Sequence, residues 1–289
     1  MQILDATIKS LLNDKLKKLE KHFEADVVFF YGEIHAGLIR PFRDLIEDLQ
    51  RDSKKKEKLA IILNTSGGSA ETAEKVVDII RFHYKDVTFV VPDFAMSAGT
   101  IFCMSGNRIY MDYSSSLGPI DPQVWNGQQW VPALGYLDKV EELLAKAAAG
   151  TLSNAEFLIL QSQDLAMLSR YEQARNLTIT LLKKWLVEYK WKDWSTHGTS
   201  TAKLGQAVTD EEKKERAEEV ATRLGDNKYW HSHGRMIGIN TLKSVLRLKI
   251  EDYSSDKNLQ PLIRSYNDLI TEYIGRSNYK VFMHSRKYF

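Results

Sequence analysis

Cysteine is nearly missing from this 289-residue chain. Cys103 stands alone, which excludes an internal disulfide and a multi-cysteine metal site and leads us to expect a reducing, cytoplasmic setting. Net charge of either sign is lacking as well: 40 basic residues against 38 acidic ones leave +2, which gives no electrostatic reason to expect a nucleic-acid partner. The one basic run, Lys54-Lys55-Lys56, reads as a solvated loop. No apolar run approaches the ~20 residues that span a bilayer, so no membrane insertion is expected. The first 34 residues mix apolar and charged positions at helical spacing and lack the unbroken apolar stretch of a signal peptide. What is present, a 43% hydrophobic content, suffices for a substantial core.

The apolar residues are organised in repeating units. "DVVFFYGEI" (26–34), rich in β-branched and aromatic residues, leads into "GLIRPFRDLIEDLQR", whose apolar positions recur at helical spacing. "KLAIILNTSGGSAETAEKVVDIIRFHY" (58–84) repeats strand, turn and helix, and "DVTFVVPDFAMSAGTIFCMSG" repeats them again. Short, fully apolar strands alternating with helices predict right-handed crossovers and a mainly parallel, buried sheet in an α/β fold. From about residue 134 helical patterns take over, including residues 152–191 and a charged, exposed helix near 210–224. We therefore expect an N-terminal helix (1–25), a main domain (26–250) with an α/β core to residue 150 and a helical part from 151, and a C-terminal extension (251–289).

Two turns end consecutive predicted strands: Asn64-Thr65-Ser66-Gly67-Gly68 and Phe94-Ala95-Met96-Ser97-Ala98-Gly99. Open α/β sheets place functional clefts at that edge. Glycines there let backbone N–H groups approach a bound group, and a serine at a strand-to-helix turn exposes its hydroxyl near a helix N-terminus. These are the parts of an acyl-transfer site, a nucleophile and an oxyanion hole. On pattern alone, Ser97 reads first as the cap of a helix beginning at Ala98. Gly118-Pro119-Ile120-Asp121-Pro122 forms a rigid turn; it and Gly67 are expected to line the cleft, with Asp121 as a loop anchor.

"ILNTSGGSAETAEKVVDII" followed by "AMSAGTIFCMSGNRIYMDYSSSLGPIDPQ" resembles the Clp protease/crotonase superfamily, closest to its serine dehydrogenase proteinase and signal peptide peptidase A branches. The resemblance is specific over residues 58–124 and extends over 26 to about 150. It implies a Clp/crotonase-like fold of repeated ββα or βα units with a mainly parallel sheet, followed here by a helical C-terminal half. It also implies Ser97 as nucleophile, the amides of Gly68 and Ala98 as oxyanion hole, a protein or peptide substrate, no cofactor and a homo-oligomer.

A serine needs a base. Where the Clp branch carries its histidine, this chain has Asp121. The signal peptide peptidase A branch uses a lysine on a later helix, and Lys139 falls in that window, so a Ser-Lys dyad is the favoured expectation. Lysine acts as a base only where burial or nearby positive charge lowers its pKa. Lys139 lies off the stripe Leu134, Leu137, Val140 and Leu144, which fits a cleft or plain solvent. His233, in a His-Gly stretch like that of the serine dehydrogenase proteinase branch, is the alternative base. With His231 it shares one face of an extended segment, but no third ligand supports a metal site. An inactive scaffold with the same fold and an acyl-CoA thioester enzyme of crotonase type remain open at this point.

Overall fold

The structure, a computed structural model, describes residues 2–125, 128, 130–198 and 202–288. In chain order, α1 (Gln2–Phe23) leads into β1 (Asp26–Tyr31), a 3-10 turn (Ala36–Leu38) and α2 (Ile39–Arg51), then β2 (Lys58–Asn64) and α3 (Ala70–His83). Next come β3 (Asp86–Val91), β4 (Phe94–Ala95), α4 (Ala98–Met104), β5 (Arg108–Met111) and β6 (Ser116–Leu117). A hairpin of β7 (Gln123–Trp125) and β8 (Trp130–Pro132) opens the helical half: α5 (Ala133–Ala148), α6 (Asn154–Gln161), α7 (Leu165–Trp185), α8 (Asp210–Gly225) and α9 (Asn227–Trp230). The chain returns through β9 (Ile237–Gly238), α10 (Ile239–Ser244), β10 (Glu251–Asp252), α11 (Leu259–Ser277) and β11 (Phe282–His284).

Mixed α/β with a mainly parallel six-stranded sheet is the architecture, in the order β10-β5-β3-β2-β1-β11, with only β11 antiparallel to its neighbour. The central strands β1, β2 and β3 are apolar over most of their length because both faces are covered. Along β1, Val28 and Phe30 face the large cluster built with α2, α3, α4, α7 and α8, whereas Val27 and Phe29 face a second cluster with α1 and α11. That period of two, with apolar residues at both phases, is what a doubly covered strand requires.

Residues 251–289, an extension in the sequence reading, complete both sheet edges with β10 and β11 and cover one face together with α1. The long helical stretch 152–191 divides in two. Ser153 and Glu156 form a capping box for α6, and Asp164 caps α7 by accepting from the amides of Ala166 and Met167. Helix α8 is less exposed than its charge suggests, since Ala217, Val220, Ala221 and Leu224 are buried against the core. Among the described residues, no helix is long and apolar enough to cross a membrane.

Candidate active site

Ser97 occupies the N-cap position of α4, but it makes no side-chain cap hydrogen bond. Its backbone sits at φ 51°, ψ −118°, a conformation that costs a non-glycine residue on the order of 1–3 kcal/mol. The surroundings hold it there. Met96 N donates to Thr65 O at 2.9 Å, and Gly99 N donates to Met96 O at 2.8 Å. Thr100, which sequence reasoning passed over, bridges the turn to the next strand end: its hydroxyl donates to Ala95 O at 2.8 Å and accepts from Gly118 N at 2.8 Å. Helix α4 is buried along its whole length, so the turn is anchored from behind.

The two-glycine turn abuts this serine. Gly67 (φ 107°) and Gly68 (φ 137°) lie in the left-handed half of backbone space, where glycine alone is at ease. A Cβ on Gly67 would come within 2.8 Å of both Met96 O and Ser97 Cβ, and one on Gly68 within 2.2 Å of Ile34 O. Gly67 O accepts from Ile34 N, and Ser69 N donates to Ile34 O, which pins the turn to the end of β1. Between them, Gly68 N–H and Ala98 N–H have no acceptor among the described residues. Both amides are free beside a serine held at positive φ.

His233 and Asp121 are brought together, with Nδ1 of the histidine 2.9 Å from Asp121 Oδ1. The carboxylate is 1% exposed and also accepts from Gln123 Nε2 at 3.0 Å, while the imidazole is one-quarter exposed. Strand register explains the meeting. In the small sheet β4-β6-β9, Ala95 pairs with Leu117 and Leu117 with Ile237, β4 and β6 being parallel and β9 antiparallel. Ser97, two residues past Ala95, Asp121, four past Leu117, and His233, four before Ile237, therefore leave the same end of that sheet. Asp121, expected as a loop anchor and cleft-lining residue, thus also holds a histidine from a distant segment.

Lys139 is on α5 as expected, but more than half exposed and ion-paired with Glu142 at 3.0 Å. Its side chain is open to solvent and shares the Glu142 carboxylate with Lys146. Lys146, farther along the helix, is paired with Glu142 and Glu156, which raise its pKa. His231 is an exposed residue closing α9 at φ 61° and does not join His233 at the Asp121 carboxylate. His197, isolated in sequence, lies between Trp194 and Glu212.

A doubly covered parallel sheet with two tight turns and a half-buried serine at its carboxyl edge puts these residues where α/β proteins hold their functional clefts. Residues 44–229 match the ClpP-like SDH-type serine proteinases, and the chain belongs to that family. Two relatives are uncharacterized proteins of Methanocaldococcus jannaschii. MJ0137 is 31% identical over 182 residues, covering 62% of this chain and 59% of its own length. MJ1495 is 30% identical over 87 residues, covering 30% of this chain and 27% of its own. The chain thus spans under two thirds of the length of the curated relatives it matches. Among solved structures, a mutant of the membrane-bound stomatin-specific protease 1510-N is similar at a TM-score of 0.45 and 12% identity, over 81% of this chain and 82% of that one. A mutant of ClpP1 from Listeria monocytogenes is similar at 0.41 and 14%, over 83% and 98%.

Proposed function

We propose that this chain is a serine peptidase in which Ser97 attacks the scissile carbonyl, the amides of Gly68 and Ala98 hold the oxyanion, and His233 is the base oriented by Asp121. In the first step His233 Nε2 takes the proton of the Ser97 hydroxyl as Oγ bonds to the carbonyl carbon. The imidazolium then gives that proton to the leaving amine as the C–N bond breaks. Water repeats the sequence on the acyl-enzyme, releasing a carboxylate product and restoring Ser97. Asp121 accepts a hydrogen bond from Nδ1–H, fixing the tautomer that leaves Nε2 free to accept the serine proton.

The observation that carries this reading is the His233–Asp121 pair on a carboxylate that is 1% exposed, at the sheet end shared with a strained, uncapped serine. It favours the histidine over Lys139, which lacks the burial that base catalysis by lysine requires. Family membership supports protein or peptide substrates. A second copy of the chain is the further partner. Helix α6 buries none of its residues, and Phe157, Leu158 and Ile159 stand half or more exposed beside Leu144 and Leu165. Nearby charges are internally neutralised, Lys146 holding both Glu142 and Glu156. An uncharged apolar face on a projecting element matches another copy of itself better than a charged partner.

Reaction with a fluorophosphonate probe tests the chemistry. Intact mass should show one adduct on the wild-type chain and none on Ser97→Ala. Absence of any adduct on folded wild-type protein would turn the assignment toward an inactive scaffold or toward thioester chemistry that needs no serine.

A further inference from the structure

Behind the turn that carries Asp121 lies a cleft of about 300 Å³. Asp121 reaches towards His233, while its neighbours Ile120 and Pro122 line this cleft from the other side. Leu134 of α5, Ile179 of α7 and Ala221 of α8 add apolar surface, with Thr222 and Asn227 beside them. Thr178 also lines it, its hydroxyl donating to Ala174 O at 3.0 Å. The volume is at the lower limit of small-molecule sites and suits a group the size of one amino-acid residue.

Four charged residues border the cleft, and three of them are matched. Lys228 and Asp138 pair at 3.1 Å. Asp226 accepts from Tyr229 N at 2.9 Å and lies 3.9 Å from the Arg223 guanidinium. Arg175 is different: its Nε donates to the neighbouring Asn176 side chain at 3.3 Å, and it forms no ion pair among the described residues. A half-buried guanidinium left over at the wall of an apolar cleft presents a planar donor fork that fits a carboxylate.

We propose that this cleft binds an apolar group bearing a free carboxylate, the chemistry of the C-terminal residue of a peptide, with the apolar side chain against Ile120, Leu134 and Ile179 and the carboxylate on Arg175. The site is separate from the Ser97 chemistry and shares a wall with it. Ile120 N donates to Leu224 O at 3.0 Å and Ala133 N donates to Pro122 O at 2.9 Å, so the turn holding Asp121 is tied to two of the elements that enclose the ligand.

The test uses the full chain carrying Ser97→Ala, so that turnover plays no part, titrated calorimetrically with N-acetyl-leucine and with N-acetyl-leucinamide. The acid should bind with a Kd of ~1 mM and the amide at least about tenfold more weakly, the difference made by one charge-assisted hydrogen-bonded pair. Arg175→Gln should remove the preference for the acid, and Ile179→Trp, which fills the cleft, should abolish binding of both, with circular dichroism verifying the fold of each variant. Equal affinity for acid and amide, a preference that survives Arg175→Gln, undiminished binding to a folded Ile179→Trp, or no saturation by the acid below ~20 mM would each overturn the proposal.

Discussion

Asp121 is the residue on which the proposed mechanism turns. A buried carboxylate is costly unless hydrogen-bonded, and here the compensation comes from His233 and Gln123. With Asp121→Asn the fold should persist while serine acylation falls by about 10³–10⁴, because the amide allows the wrong imidazole tautomer. Stopped-flow labelling of the variant checks this; an unchanged rate would remove Asp121 from the mechanism. Ser97 and the glycine pair were legible in the sequence, since strand, small residues and helix follow one another directly. His233 stood in the sequence only as the alternative base, because it arrives on a distant segment through the antiparallel pairing of β9 with β6. Lys139 was favoured because it falls in the window where the signal peptide peptidase A branch carries its lysine, and such spacing says nothing of the solvent and the Glu142 carboxylate around it.

At the scale of elements, the βα units were readable because doubly covered strands are unbroken apolar runs. The division of 152–191 into α6 and α7 was missed although its signals, Ser153 with Glu156 and then Asp164, stand in the sequence. An apolar run overrode them in the reading. Leu181, Leu182 and Trp185 lie in the core, and the exposed apolar face belongs to α6 and the start of α7. The two-glycine turn gives an element-level prediction. Gly68→Ala combines positive φ with a collision at Ile34 O and should lose about 1–3 kcal/mol or more in urea unfolding. Gly150→Ala, at φ 68° with nothing within 4 Å, carries only the backbone cost and should lose about 1 kcal/mol. Equal losses would show that the close approach of the turn to β1 is not limiting.

At the scale of the whole molecule, the segment after β11 is tied back to the first elements. Arg286 bonds Glu20, Asp26 and Asp52 at 2.6–2.8 Å, joining that segment to α1, β1 and the end of α2. His284 is buried between Tyr266 and Asn13, and desolvation lowers its pKa to about 4. Its contribution to stability is fully present above the unfolded value near 6.5. As pH falls from there towards 4, the unfolded chain takes up a proton that the folded one refuses, and stability declines by roughly 3 kcal/mol. Urea midpoints measured at pH 7 and pH 4.5 should show this loss, and His284→Gln should reduce it. At the same scale, light scattering should give a stable multiple of the 33.2 kDa chain, dissociated by Leu158→Lys. A monomeric mass at micromolar concentration would contradict the assembly through α6.

The rate of fluorophosphonate labelling at pH 7.5, compared across wild type, His233→Ala and Lys139→Ala, tests the account most directly. It predicts a fall of about 10²–10⁴ for the histidine variant and a rate within about twofold of wild type for the lysine variant, both folded by circular dichroism. The reverse pattern, labelling intact without His233 and lost without Lys139, would contradict it.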